Sequence, residues 1–274
     1  MKFAVCNETF QGWPFEKAFD FAAECGYTGI EIAPFTIADY ATDISAQQRG
    51  EVTRQADAAG LEIVGLHWLL AKTEGFYLTS PDVDVRKKTA AYFSELARLC
   101  ADLGGKILVC GSPQQRNLLP GVSLEEATEH AADVFTQVMP VLEETGVTVA
   151  LEPLGPEEGD FLVTTPEAVA LAEKIASPHV RLHLDCKAMS TESMPIADIV
   201  RQNHAVLAHF HANDPNRQGP GFGNVDFLPI LEALGEVDYA GWVSVEVFDY
   251  TPGIERLARE SIDYLRDCLA KLAG

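Results

Sequence analysis

Leu124 to Thr145, then Gly146, then Val147-Thr-Val-Ala-Leu-Glu152 read in order as an amphipathic helix, a helix-ending glycine and an apolar strand that closes on a carboxylate. Apolar positions recur at helical spacing in the first piece, whereas the last is a short β-branched run with no helical period. Glycine between them suits the left-handed backbone on which many helices stop. The same unit recurs along the chain. Strands are expected at Phe3 to Asn7, Gly29 to Ala33, Glu62 to His67, Lys106 to Cys110, Val147 to Glu152, Val180 to Asp185, Val206 to His211 and Trp242 to Val247. Helices are expected from Phe15 to Cys25, Ala46 to Ala59, Val85 to Leu103, Leu124 to Thr145, Pro166 to Ala176, Ile196 to Asn203, Phe227 to Leu234 and Ile254 to Leu272. Thr165-Pro166-Glu167 reads as a cap, a first-turn proline and a first-turn acid.

Strict alternation of strand and helix, with near-continuous apolar strands, implies a parallel sheet covered by helices. Eight such units make an α/β chain of (β/α)8 TIM-barrel architecture. No linker or shift of composition divides residues 1–274, so a single domain is expected. The rival is an open doubly wound sheet, which calls for a glycine-rich phosphate turn after the first strand. Asn7-Glu-Thr-Phe-Gln-Gly-Trp13 is not such a turn.

Forty-one acidic residues against 20 basic ones give a formal charge of −21. That field repels phosphate backbones, so nucleic acid is excluded as a partner. Cys6, Cys25, Cys100, Cys110, Cys186 and Cys268 are scattered without CxxC pairs, the pattern of buried free thiols in a reducing cytoplasm. The chain opens directly on Lys2-Phe-Ala-Val-Cys6 with no charged-then-apolar leader, and no apolar stretch approaches the roughly 20 residues that span a bilayer. A soluble, cytoplasmic protein with no membrane partner is expected.

In an eight-stranded barrel the chemistry sits at the C-terminal ends of the strands, so the polar residue closing each apolar run is the place to look. Those residues are Asn7 and Glu8, Glu31, His67, Cys110 to Ser112, Glu152, Asp185, His211 and Glu246. The last four close four consecutive strands with a metal-capable side chain, and none of them is Lys or Arg. Three carboxylates and an imidazole converging at one point cannot persist unpaired, because like carboxylates raise each other's pKa or recruit a cation. One divalent ion is the expected cofactor. An oxygen-rich donor set favours Mn²⁺, Mg²⁺ or Co²⁺, and leaves Zn²⁺ open. His183 and His209 share the inward side with Asp185 and His211 by period-two alternation, and are expected one layer deeper as hydrogen-bonded interior histidines.

Leu151-Glu152-Pro153-Leu154 with Glu158-Gly-Asp-Phe-Leu162, His183-Leu-Asp185, His209-Phe-His211 with Arg217, and Ser244-Val-Glu246 carry a resemblance that spans essentially the whole chain. The sequence resembles the xylose-isomerase-like TIM barrels of sugar phosphate isomerases and epimerases, and within them the ketose 3-epimerases that act on D-tagatose or D-psicose. The resemblance implies that Glu152, Asp185, His211 and Glu246 hold the metal, Mn²⁺ foremost. It implies that Glu152 and Glu246 also act as the acid/base pair, one removing a proton beside the carbonyl and the other returning it on the opposite face through a cis-enediolate. Arg217 would hydrogen-bond a substrate oxygen, and Glu158 would contact substrate or support the metal ligands. The substrate implied is a small sugar or polyol ketone.

One position departs from that pattern. Three residues after Asp185 the epimerases carry a substrate-binding histidine, and here the residue is Ala188, with Lys187 beside it either to take a polar role at the substrate or to stand as a solvent-exposed loop lysine. The exact sugar is therefore open. His67, at the end of the third strand, is a further substrate-binding candidate. His67-Trp-Leu-Leu-Ala-Lys-Thr-Glu-Gly-Phe-Tyr-Leu78 is expected to form a lid or a contact between subunits, which leaves a homo-oligomer open. Gly111-Ser-Pro-Gln-Gln-Arg116 offers Gln115 or Arg116 to the substrate, unless Arg116 is simply solvated, and Phe248 and Tyr250 are expected to wall the site. Two further readings stand beside the epimerase: an inosose dehydratase-like lyase on the same metal site, and a non-catalytic sugar-binding barrel. An endonuclease IV-like phosphodiesterase is disfavoured by only seven histidines and the −21 charge.

Overall fold

The computed structural model describes residues 1–274. Eight parallel strands close on themselves in chain order: β1 Lys2–Cys6, β2 Gly29–Ile32, β3 Glu62–Leu66, β4 Ile107–Cys110, β5 Thr148–Leu151, β6 Val180–Asp185, β7 Leu207–Ala212 and β8 Trp242–Val245. β1 pairs with β8 from Lys2 opposite Trp242 to Val5 opposite Val245, which seals the barrel. Nine α-helices follow the strands: α1 Phe15–Cys25, α2 Ala46–Ala59, α3 Val83–Asp102, α4 Leu124–Thr145, α5 Thr165–Ile175, α6 Cys186–Met189, α7 Ile196–Asn203, α8 Phe227–Glu236 and α9 Ile254–Ala273. This is a (β/α)8 TIM barrel in a single domain, and one continuous hydrophobic cluster joins the barrel wall to the helix layer. No helix is long and apolar enough to cross a membrane.

Most expected boundaries lie within two residues of those observed, and the differences have physical causes. Glu152, Glu246 and His67 fall just past their strands, where the ladder gives way to the loops that carry chemistry. The ninth helix, α6, starts directly after β6 because the Asp185 carboxylate accepts the Ala188 N–H at 2.8 Å and caps its first turn. The N-cap position of α5 is Thr164, one residue earlier than expected, and its side chain makes no capping hydrogen bond. Thr165 instead donates its hydroxyl to Glu192, at 2.6 Å. At the unit that decides the fold, α4 carries a full capping box of Ser123 and Glu126 and ends on Gly146 at φ +66°.

Much of the apolar loop after β3 packs inward, against the core of its own chain. Leu69, Leu70, Phe76 and Leu78 are buried in the core, and Trp68 alone among its large apolar groups is exposed. Burial of four large apolar side chains removes far more apolar surface from water than a mobile flap would, so the loop is anchored.

Candidate active site

The register of the barrel turns Asp185 and His211 to the same side. Asp185 pairs with His211 across β6 and β7, and His211 pairs with Ser244 across β7 and β8. Glu152 enters beside them from the end of β5 and Glu246 from the end of β8. Donor atoms of Glu152, His183, Asp185 and His211 lie within 4.8 Å of one another. Glu246 Oε2 lies 3.0 Å from His211 Nδ1, which ties the fourth expected ligand to the same cluster.

The electrostatics of the bare cluster are those of crowded like charges. Burial, then the carboxylates of Glu246 and Asp185, push the Glu152 carboxyl well above its ordinary range. Burial and Glu246 raise Asp185 as well. Burial pushes Glu246 upward as well, yet the His211 imidazole beside it, His67 and the Trp68 N–H together outweigh that burial and hold its carboxyl below the ordinary value. Burial opposes charge on His211 too, but Glu31 and Glu246 overcome it and carry the imidazole well above its usual pKa. Asp185 is further fixed by the Asn213 amide, which donates to Oδ2 at 2.5 Å.

A second layer lies directly beneath. Glu31, fully buried on β2, accepts from His209 Nε2 at 2.7 Å and meets His211 Nε2 at 3.1 and 3.2 Å. Its carboxyl stays well below the ordinary range in spite of burial, because the two imidazoles outweigh it. His209 is therefore the hydrogen-bonded interior histidine expected. His183 is not: it is fully buried, and neither ring nitrogen has a hydrogen-bond partner. Its nearest carboxylate atom is Glu152 Oε1, 3.9 Å from Nε2. On β1's side, Glu8 Oε2 lies 2.5 Å from His67 Nε2.

These observations fit a cation. The carboxylates of Glu152, Asp185 and Glu246 with the His211 imidazole form a hard, oxygen-rich donor set, burial and then neighbouring carboxylates displace two of the acids upward, and the buried His183 imidazole beside them is orphaned. The site is consistent with a divalent metal.

Above the cluster opens a cavity of about 540 Å³. Glu152, Glu246, His67, Glu158, Lys187 and Arg217 all line it, while Asp185 and His211 lie beneath its floor. Lys187 forms an ion pair with Glu158 and lies 5.3 Å from the Phe248 ring, over which the Arg217 guanidinium also sits, at 5.8 Å. Phe248 walls the site as expected. Tyr250 does not line it: the phenol turns back to donate to the Val247 carbonyl.

Four residues carry the geometry in ways the sequence did not indicate. Trp68 donates its indole N–H to Glu246 Oε1 at 3.0 Å from a left-handed backbone, φ +53°. Glu31 was visible only as one more strand-end acid. Gly111 is packed against Glu152 so closely that a Cβ there would lie 1.6 Å from Oε2. Arg116 is neither solvated nor on the substrate. Only 2% exposed, it donates to the carbonyls of Cys110, Glu152 and Leu162 at 3.1, 2.7 and 3.2 Å.

Residues 19–268 match the family described as the xylose isomerase-like TIM barrel. The chain belongs to that family. Among relatives in it, the D-psicose 3-epimerase of Ruminiclostridium cellulolyticum is 28% identical over 230 residues, covering 82% of this chain and 75% of the relative. A probable ketose 3-epimerase of Synechocystis is 26% identical, covering 92% of this chain and 90% of the relative. In fold, the xylose isomerase-like barrel seen here superposes on a crystal structure of D-psicose 3-epimerase from Clostridium cellulolyticum H10 in the presence of D-tagatose. The TM-score is 0.86 at 23% identity, over 98% of this chain and 99% of that one.

Proposed function

We propose that this isomerase-class barrel is a divalent-metal-dependent sugar epimerase of the ketose 3-epimerase type, with Glu152 and Glu246 as its proton-transfer groups. One observation carries the reading. Two carboxylates from β5 and β8 enter one cavity, and the strands between them supply Asp185 and His211 as further donors. Inverting a stereocentre requires a proton to leave one face and another to arrive on the opposite face, so two separate groups are needed. A site that merely held a sugar would need neither.

Glu152, Asp185, His211 and Glu246 would hold the ion, with Mn²⁺ the first choice for this donor set and Mg²⁺, Co²⁺ and Zn²⁺ the alternatives. When bound, it supplies positive charge that polarises the substrate carbonyl. Each glutamate has two oxygens, so one can serve as a ligand while the other takes or gives the proton. Removal of the proton beside the carbonyl leaves a cis-enediolate. Arg217, which lines the cavity with its guanidinium over Phe248, would hydrogen-bond an oxygen of that anion. The Lys187 and Glu158 pair adds donors and an acceptor for substrate hydroxyls. His67, with Nε2 committed to Glu8, would offer the substrate its ring. A cytoplasmic location belongs to the same proposal and is supported by six free, buried cysteines.

The test is incubation of the Mn²⁺-loaded protein in D₂O with a panel of carbonyl sugars and inososes. Deuterium at the carbon next to the carbonyl, together with a new epimer, is expected. Glu152→Gln and Glu246→Gln should each slow that turnover by about 10²- to 10⁴-fold, the usual contribution of a general acid or base. Loss of water instead of inversion would move the chain to the lyases. Sugar binding with no exchange would leave a non-catalytic barrel.

A further inference from the structure

The cavity divides into two ends of different chemistry, and only one of them can react. The groups assigned to proton transfer and substrate charge, Glu152, Glu246, Glu158, Lys187 and Arg217, come from the half of the barrel built by β5 to β8. The opposite half, above β2 to β4, lines the same cavity with Phe35, Trp68, Gln114 and Gln115. Phe35 and Trp68 lie 5.8 Å apart between ring centroids, and Trp68 lies 6.1 Å from Phe248, so an aromatic row runs from the far end to the reacting end. Trp68 is 38% exposed although its indole N–H is tied to Glu246, which leaves the ring face open to the cavity. The side-chain amides of Gln114 and Gln115 make no hydrogen bond within the chain and stand at the same end. The one cation at this end, Lys72, lies 4.5 Å from the Phe35 ring centroid. Neutral amides beside an aromatic face suit a polyol: the ring takes its C–H surface and the amides take its hydroxyls.

Size points the same way. A cavity of about 540 Å³ lies in the range of about 300–1,000 Å³ that houses drug-sized ligands, more than a single small ketose fills. The strain at Trp68 is a further sign that this end is built for a ligand. A left-handed backbone at a bulky residue costs roughly 1–3 kcal/mol and is retained where the side chain must point in one direction.

We propose that the substrate is a two-unit glycoside. Its keto sugar lies between Glu152 and Glu246, and its second sugar ring rests on Trp68 within reach of Gln114 and Gln115. This rests on the epimerase reading above and specifies its substrate class. A ring-closed keto-glycoside presents its carbonyl without ring opening, and its glycosidic oxygen carries the second unit away from the reacting carbons toward β2 to β4.

The experiment compares kcat/KM for deuterium exchange of three probes on the Mn²⁺-loaded protein: a 3-keto disaccharide, the corresponding methyl 3-keto-glucoside, and free D-fructose, D-psicose or D-tagatose. The disaccharide should exceed the free ketoses at least tenfold. A Gln114→Ala, Gln115→Ala double variant should lower the ratio of disaccharide to methyl glycoside by a similar factor, mostly through KM. Binding of a carbonyl-free disaccharide, read by calorimetry, should weaken in the same variant. Free ketoses exchanging as fast as the disaccharide would overturn the two-unit proposal and leave the epimerase standing. Absence of exchange with every probe would overturn both.

Discussion

Glu31 holds His211 by its deeper nitrogen: the two carboxylate oxygens lie 3.1 and 3.2 Å from Nε2, leaving Nδ1 to face Glu246 and the cluster. With an ion at Nδ1, a carboxylate acceptor at Nε2 would keep the proton there and leave the Nδ1 lone pair to the metal, which is how a ligand histidine is oriented by its second partner. Glu31→Gln removes the negative charge and leaves one acceptor oxygen for His209 and His211 to share where the carboxylate has two. It should therefore weaken metal binding by about 10- to 100-fold. Titration of the metal-free protein with Mn²⁺, followed by calorimetry, reads this directly, and an unchanged Kd would remove Glu31 from the role.

Gly111→Ala tests the close approach to Glu152. A methyl group would sit 1.6 Å from Oε2, and the atom that must yield is the tip of a side chain, not backbone. The protein should fold with nearly its normal stability while the carboxylate is displaced. A displacement of about 1 Å in a catalytic group costs on the order of 10²-fold in rate. Loss of stability with rate retained among the folded molecules would contradict the assignment.

Metal should stabilise the protein more at alkaline than at acidic pH. Burial and neighbouring carboxylates raise Glu152 above its ordinary 4.5 and Asp185 above its ordinary 3.8. The stability these groups contribute without metal is complete below those ordinary values and is lost as pH rises through the raised ones. His211, raised above 6.5, runs in the same direction. A divalent ion removes the repulsion that grows with pH, and protons compete with it at low pH. The gain in Tm from saturating Mn²⁺ over EDTA should be larger at pH 8 than at pH 5. Equal gains would mean that these carboxylates do not hold the ion.

Arg116→Met should damage the fold before it damages chemistry. The guanidinium donates to three buried carbonyls, one of them that of Glu152, and methionine removes that charged donor from each, although those of Cys110 and Leu162 keep a backbone N–H from Glu152 and Leu154. Charged hydrogen bonds contribute about 1.5–3 kcal/mol each, so a loss of about 3 kcal/mol or more is expected. At about 2–4 °C per kcal/mol for a large domain, Tm should drop by at least about 6 °C in a thermal melt.

What the sequence disclosed, and what it withheld, follows from which interactions are periodic. β6 is expected and found at Val180–Asp185, and α1, α2, α4 and α7 begin and end where their apolar stripes and caps place them, because those signals repeat locally. The positions of Glu152, Asp185, His211 and Glu246 follow from the same period, since a strand end in a closed barrel is already a place at its mouth. Arg116 misled because a loop arginine's fate is set by carbonyls 36 and 46 residues away in sequence. Leu69, Leu70, Phe76 and Leu78 looked like a lid because nothing local distinguishes an apolar loop that folds inward from one that moves. Glu31 and His211, 180 residues apart, meet only once the barrel closes.

The indole of Trp68 is one of only three in the chain. The others lie away from the cavity, Trp13 under Lys17 and Trp242 under Lys2. A sugar or an ion entering the cavity changes the polarity around Trp68 and leaves its two counterparts as an internal reference. The molecule thus carries its own optical gauge of occupancy, and binding of ion and sugar can be followed separately in unlabelled protein by its ultraviolet emission.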